Sequence, residues 1–444
     1  MTTTRPARPT VLGQRRRVDA VSILTVFIVL LFAIPSKLVI GPLGGAGSPA
    51  QVLGLFALLL WASARLSGRG PNREVRQPMR TAMLLFVGLN MISYVAAAVR
   101  PIDDLELRAA DRGLLMLLSW LGIVLIAAEG ISSQERFDVL LRRLATAGGA
   151  IGLLGLLQFE TGMSFVNLIH IPGLSESGAL AAEVGGRAGF SRPAGTAVHP
   201  IEYGIVLTML LPIAIHVAMF DRSRTALRRW APVAFLAVAV PISISRSAIV
   251  CSIVVLAFLV PTWAPRLRHR AYVAIGGLAS IMFVAVPGII GTLVGLFSGI
   301  SSDTSAQSRT GSYAIAWEFI SRAPLFGRGF QTFLPEYHIL DNQFLLSTIE
   351  TGFAGLLAIV GLFLTGIVTA RRGRRMTADP EARHLGQALA ASIAAGAASF
   401  ALFDALSFPQ VGSLVMLVIG MIGAYYRLRQ VGDSVVEEDA DEPF

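Results

Sequence analysis

The chain has 444 residues, 54% hydrophobic and only 15% charged, where soluble proteins carry about 25% charged residues. Its apolar residues stand in long blocks, such as Val21–Ile34, Val52–Ala62 and Leu356–Ala370, which excludes a soluble globular fold. The net charge of +9 would point to nucleic acid in a soluble protein, but here it reads as arginines studding cytoplasmic loops, with no nucleic-acid partner.

A bilayer core takes about 20 mostly apolar residues per helix. Helices are the natural unit because backbone groups in lipid must bond within their own segment. In chain order the apolar blocks predict spans near 20–34, 50–64, 81–99, 113–128, 144–164, 198–219, 231–244, 247–263, 272–290, 344–370, 386–403 and 409–426. The expected fold is therefore an all-α polytopic membrane protein of about 12 transmembrane helices in one domain, 20–426. A basic N-terminus, 1–19, precedes it and an acidic tail, 427–444, follows. Arg15, Arg16 and Arg17 before the first apolar run resemble a secretory signal, but no A-x-A cleavage site follows, so an uncleaved first span is expected.

The loops alternate in arginine content. Of 37 basic residues, 27 fall in the segments before the first span and around Arg65–Arg80, Arg136–Arg143, Arg222–Arg229, Arg266–Arg270, Arg371–Arg383 and Arg427–Arg429; the other set of loops holds 10. Basic residues mark the cytoplasmic side, so both termini are expected inside. Residues 231–263 are too long for one span. Reading them as one would turn Arg371, Arg372, Arg374 and Arg375 outward, so a tight helical hairpin with Ser245-Arg246-Ser247 at its external tip is expected.

Two external loops are long, 165–197 and 291–343, and long loops in a compact protein are usually functional. Arg246, flanked by Ser243, Ser245 and Ser247, must face a cavity or partner, or else snorkel to the headgroups. Arg187, Arg192 and His199 lie in GGRAGFSRPAGTAVHP at the start of the sixth span, with Glu202 on the His199 face of the helix; helix capping is the plain alternative. Arg309 opens an amphipathic helix expected at the membrane surface, with Tyr313, Trp317 and Ile320 as a packing stripe and Glu318 and Arg322 elsewhere on the wheel. Gly327-Arg328-Gly329 reads as a flexible turn, too short for a phosphate loop. His338, Asp341 and Asn342 bring polar groups to the mouth of the tenth span, although a lone external histidine is usually just solvated.

External arginines with a histidine and an aspartate suit a lipid pyrophosphate at the outer leaflet. Guanidinium groups hold phosphate oxygens bidentately and stay charged, and a nearby His or Asp can take a proton from an attacking hydroxyl. There is no Walker loop and no cluster of metal-ligand type, so neither cofactor nor metal is expected, and the single cysteine, Cys251, allows no intrachain disulfide. Asp103 and Asp104 have Arg100 and Arg108 beside them as neutralising partners.

At this point the chain resembles the O-antigen ligase and polymerase family. The likeness covers the early loop IPSKLVIGPLG, the fifth span LLGLLQFETG, the run SRPAGTAVHPIEYG and the SISRSA hairpin. It continues through RTGSYAIAWEFISRAPLFGRGFQTF to DNQFLLSTIETGFAGLL. The resemblance implies a GT-C-like enzyme of the bacterial plasma membrane, its site facing outward. Such an enzyme transfers a glycan from a polyprenyl-pyrophosphate-linked donor to a glycan or glycolipid acceptor, without nucleotide or obligatory metal. It implies that Arg246, with Arg192, Arg309 and Arg328, grips the pyrophosphate, and that Ser245, His199 and Asn342 support the site. Asp341 stands where many members have the catalytic histidine, and His338 lies three residues earlier, so either is the candidate base. That departure leaves ligase and polymerase both open. The rival class, a glycolipid transporter or flippase, would need charges near the midplane of several spans. The acidic candidates Glu160, Glu202, Glu350 and Asp404 all lie near predicted span ends. A membrane scaffold would not explain the polar long loop.

Overall fold

A computed structural model describes residues 19–68, 76–177, 186–187, 189–298 and 304–440, with backbone alone at 45, 186–187, 304–310 and 432–440. Of the described residues 77% are helical. Its helices are α1 (Ala20–Ala33), α2 (Pro49–Leu66), α3 (Pro78–Ala98), α4 (Asp104–Gly130), α5 (Gln134–Thr161), α6 (Pro200–Phe220), α7 (Ala226–Ile242), α8 (Arg246–Leu259), α9 (Pro265–Ala285), α10 (Ile289–Ser298), α11 (Thr304–Arg322), α12 (Gln343–Arg375), α13 (Pro380–Phe400) and α14 (Pro409–Ala440). The sequence marks their starts. Pro49, Pro78, Pro200, Pro265, Pro380 and Pro409 each occupy the first helical position, where the missing N–H costs nothing. Asp19, Ser48, Asp103, Ser133 and Asp379 accept backbone N–H bonds as N-caps.

Every one of the expected apolar segments falls on a helix. Among the described residues, α2, α3, α4, α5, α6, α12 and α14 (to Val431) are the seven helices able by length and composition to cross a membrane alone. The ninth expected span divides: α9 and α10 meet at 109°, because Pro287 restrains the residue before it and Gly288 takes φ 87°. The expected loop 291–343 therefore holds most of α10 and all of α11.

The helices α4, α6 and α14 are largely buried, whereas α2, α3 and α12 carry exposed apolar faces. Small residues let the central helices approach. A Cβ on Gly122 of α4 would stand 2.2 Å from the Gly54 carbonyl oxygen of α2, and one on Gly420 of α14 would stand 2.6 Å from Ala127 Cβ. Van der Waals contact of this kind drives helix association where lipid removes the hydrophobic difference. Polar groups gather at the two ends. Glu129 accepts bonds from Trp61, Arg65 and Arg80, and Asp221 pairs with Arg142 and Arg224, all from the arginine-rich segments. At the other end a two-residue strand β1 (Leu38–Val39) pairs with β2 (Ser175–Glu176), and Lys37 bonds Asn167 and Glu176. A second short pair, β3 (Gly186–Arg187) with β4 (Phe190–Ser191), leads into α6.

One feature was not visible in the hydropathy. The helix α12 is broken at Gly352, which takes φ 67° and ψ −173°. Segment 324–329 lies in the break and takes up the released backbone groups. Phe353 and Ala354 N–H donate to the Pro324 and Leu325 carbonyls at 2.8 and 3.2 Å, and Arg328 and Gly329 N–H donate to the Ile349 and Glu350 carbonyls at 3.2 and 2.7 Å. Gly327-Arg328-Gly329 is thus a pinned backbone clasp rather than a flexible turn. Irregular backbone at such depth is tolerated where protein satisfies it. A Cβ on Gly352 would meet Leu325 C at 2.3 Å, while one on Gly361, nine residues further along the same helix, meets nothing within 4 Å. Gly352→Ala is therefore expected to destabilise the protein by on the order of 3 kcal/mol or more, and Gly361→Ala to leave it unchanged or firmer. Melting of the two detergent-solubilised variants checks this; equal melting points would refute the clasp.

Candidate active site

The break in α12 determines what faces the cavity beside it. Glu350 sits on the last turn before Gly352; its Oε1 accepts the Phe333 N–H at 3.4 Å and its Oε2 is buried without a hydrogen-bond partner. Residues 330–342 form an irregular cap between α11 and α12. The cap is held by an apolar cluster of Ala316 and Ile320 from α11, Phe333 and Leu340 from the cap, and Leu346 and Ile349 from α12. Only part of the expected α11 stripe packs in this way. Ile320 is 5% exposed, but Tyr313 and Trp317 are 58% and 64% exposed, because the buried face runs through Ser312, Ala316 and Ile320 at spacing four.

A cavity of about 480 Å³ opens under this cap. His338 and Glu350 line it from the cap and α12, His199 from the start of α6, Asp404 from the α13–α14 turn, and Arg112 from α4. The two histidines, 139 positions apart in the chain, thus share one wall space. His338 Nε2 lies 2.9 Å from Ser312 Oγ on α11. His199 is the N-cap of α6: its Nδ1 accepts the Ile201 N–H at 3.1 Å. With Nδ1 committed as acceptor, the neutral ring carries its proton on Nε2 and can act only as a donor. Burial, and then the Arg192 charge, pull its pKa down to about 4, so the ring is neutral at any physiological pH. Asp404 goes the other way. Burial raises its carboxyl to about 7, the Asp341 charge adds to that, and bonds from its own backbone N–H and the Ser407 hydroxyl oppose it.

The arginines form a second group beside the first. Three residues, Ser243, Ile244 and Ser245, connect α7 to α8, with Ile244 in the left-handed region at φ 47°. Ser245 caps α8 by accepting the Ala248 N–H at 3.4 Å. Arg246 opens α8 and donates from Nη1 to the Leu296 carbonyl of α10 at 3.5 Å. Arg192 donates from Nε to the Ser243 carbonyl at 3.5 Å. Arg192 therefore touches the hairpin tip and acts electrostatically on His199 at the cavity wall. Neither Arg192 nor Arg246 lines the cavity itself.

Other expected site residues are engaged elsewhere. Arg328 is ion-paired to buried Glu106, which also pairs with Arg100 and accepts the Tyr337 hydroxyl, and its guanidinium lies 4.8 Å from the Tyr337 ring centre. That network is why Arg328 stays out of the cavity, and it makes Glu106, not Asp103 or Asp104, the partner of Arg100. Asn342 is the N-cap of α12, accepting the Leu345 N–H at 3.1 Å. Asp341 does not line the cavity; its charge acts on Asp404, which does. Glu202 accepts the Val198 and Gln410 N–H groups at 2.8 and 2.6 Å, stitching the starts of α6 and α14. The side chains of Arg187 and Arg309 lie outside the described residues. Nothing in its local sequence sets Arg112 apart from the other arginines of the sparsely basic loops. Glu350 carried a usable signal, since an acid inside an apolar span is a functional candidate by default, and Asp404 stands in the short turn between two such spans. Among the described residues no group of three or more His, Cys, Asp or Glu is placed to hold a metal.

The family model described as O-antigen ligase matches residues 231–360, the stretch from the start of the α7–α8 hairpin through the cap to the middle of α12. No curated protein matches the chain.

Proposed function

We propose that this chain, whose residues 231–360 match the family model described as O-antigen ligase, is a membrane glycosyltransferase with its site in the cavity under the 330–342 cap. The donor is a glycan carried on a polyprenyl pyrophosphate, and the acceptor is a hydroxyl of a glycan or glycolipid on the external face of the bacterial plasma membrane. The acceptor oxygen attacks the anomeric carbon with inversion. The bond from that carbon to the pyrophosphate oxygen breaks, and the diphosphate leaves with the electron pair. His338 takes the hydroxyl proton, with Asp341 as the alternative base. Arg246 and Arg192 hold the developing diphosphate charge, and Arg309 joins them. Electrostatic stabilisation of this kind is usually the largest catalytic term. The Nε2–H of His199 and the protonated Asp404 donate to sugar or phosphate oxygens, and Glu350 faces the same space.

The observation that carries this reading is the meeting of His199 and His338 on one cavity, with Arg192, whose charge acts on His199, touching the tip of the Arg246 hairpin through the Ser243 carbonyl. The decisive experiment is turnover by purified protein on a defined lipid-linked glycan in detergent. A transporter needs two compartments and would be silent there; a transferase would release polyprenyl pyrophosphate and lengthen or ligate the glycan.

The orientation follows from the 27 to 10 division of basic residues. A cysteine at exposed Ser321 should react with a membrane-impermeant reagent in intact cells, and one at exposed Arg372 should not. Native Cys251 is buried and gives little background. The reverse labelling pattern would put the cavity on the cytoplasmic side and end the proposal.

A further inference from the structure

At the end of the molecule opposite the cavity, a space of about 230 Å³ is lined by four side chains, Arg371, Arg374, Arg375 and Arg383. Three come from the last turns of α12 and the fourth from the first turns of α13. Among the described residues none of the four is paired with a carboxylate. The acids closest in sequence are turned to other work. Asp379 caps α13 through the Glu381 and Ala382 N–H groups, and Glu381 lines a different hollow with Asp138 and Asp221. The cluster is also held in place. Arg374 donates to Gln387 Oε1 at 2.9 Å, Gln387 donates in turn to the Phe258 carbonyl at 2.6 Å, and Arg371 lies 5.7 Å from the Phe258 ring centre. Four like charges around one space, one of them tethered and with no paired acid among the described residues, are complementary to a phosphate. Guanidinium forks bind such oxygens bidentately.

The surface next to the cluster says which phosphate. Leu357, Leu364 and Val368 are exposed along one face of α12, and Arg371 and Arg375 continue that face at helical spacing. An acyl chain lying on the apolar stripe would bring its headgroup to the arginines; a free anion has no use for the stripe. Basic pockets between transmembrane helices on the cytoplasmic side are known to take anionic headgroups. We propose that Arg371, Arg374, Arg375 and Arg383 bind the phosphate of an anionic phospholipid of the inner leaflet, with its acyl chain along Leu364 and Val368.

The test is thermal melting of the purified full-length protein in neutral detergent, with phosphatidylglycerol, phosphatidylcholine or inorganic phosphate added at equal concentration. Phosphatidylglycerol should raise the melting temperature of the wild type by several degrees and do little for R371Q/R375Q/R383Q, which keeps the tethered Arg374. R371K/R375K/R383K should retain a smaller shift. An undiminished shift in the glutamine variant overturns the site. Equal protection by inorganic phosphate would mean a free-anion site, and equal protection by phosphatidylcholine would mean a generic lipid contact; either removes the proposal. If the triple variant does not fold, R383Q alone is read by native mass spectrometry. It should retain at least several-fold less phosphatidylglycerol than the wild type, and equal retention refutes the assignment.

Discussion

Arg246→Ala should reduce transfer from a lipid-linked donor by roughly 10²-fold or more, the cost typical of removing one preorganised charge-stabilising donor, while the protein inserts and melts as the wild type does. The residue stands at the first position of α8, immediately after the three-residue turn, and its Nη1 donates to the Leu296 carbonyl of α10. Arg246→Lys should also be poor, because an ammonium keeps the charge but loses the planar fork that matches two phosphate oxygens. Arg192→Ala should fall between wild type and Arg246→Ala, since Arg192 reaches the same hairpin tip through Ser243. The measurement is the single-turnover rate on a defined polyprenyl-pyrophosphate glycan. Full activity in a well-folded Arg246→Ala would remove the pyrophosphate clamp from the mechanism.

The helices were legible because lipid imposes one rule on every segment, and that rule leaves its mark as apolar length and proline starts. The hairpin at 243–245 was legible for the same reason: 33 residues from 231 to 263 fit no single span. Tertiary choices were not legible. Nothing in the local pattern says that Gly352 breaks α12, because glycines are common in this chain and only the clasp from 324–329 makes one of them a break. The pairing of Arg328 with Glu106 joins residues 222 positions apart, so the arginine looked available for a ligand. Tyr313 and Trp317 shared a helical period with Ile320, but they are turned outward because small residues, Ser312 and Ala316, face the cap instead. Of the candidate site, the sequence marked both histidines, Arg192 and the hairpin Arg246. It did not show that His199 is fixed as a donor by its capping bond, or that Arg112, Glu350 and Asp404 share the histidines' cavity.

The choice of base is where the geometry adds most. His338→Ala should lose roughly 10²–10⁴-fold in rate, the usual worth of a general base, and Asp341→Asn less than about ten-fold on the same scale. His338 lines the cavity and Asp341 does not. A neutral imidazole that gives its Nε2–H to Ser312 keeps a lone pair on Nδ1 for the acceptor hydroxyl. His199 cannot substitute, because its Nδ1 is held by the helix it caps. The pH profile gives an independent reading. Asp404 works protonated, and with its carboxyl raised to about 7 it loses that proton as pH rises. The rate should therefore fall above about pH 7 through Asp404, and Asp404→Asn should flatten that alkaline limb. Near-normal rates in both His338→Ala and Asp341→Asn would show that neither is the base. The reaction would then rest on the Arg246 and Arg192 clamp and on positioning in the cavity.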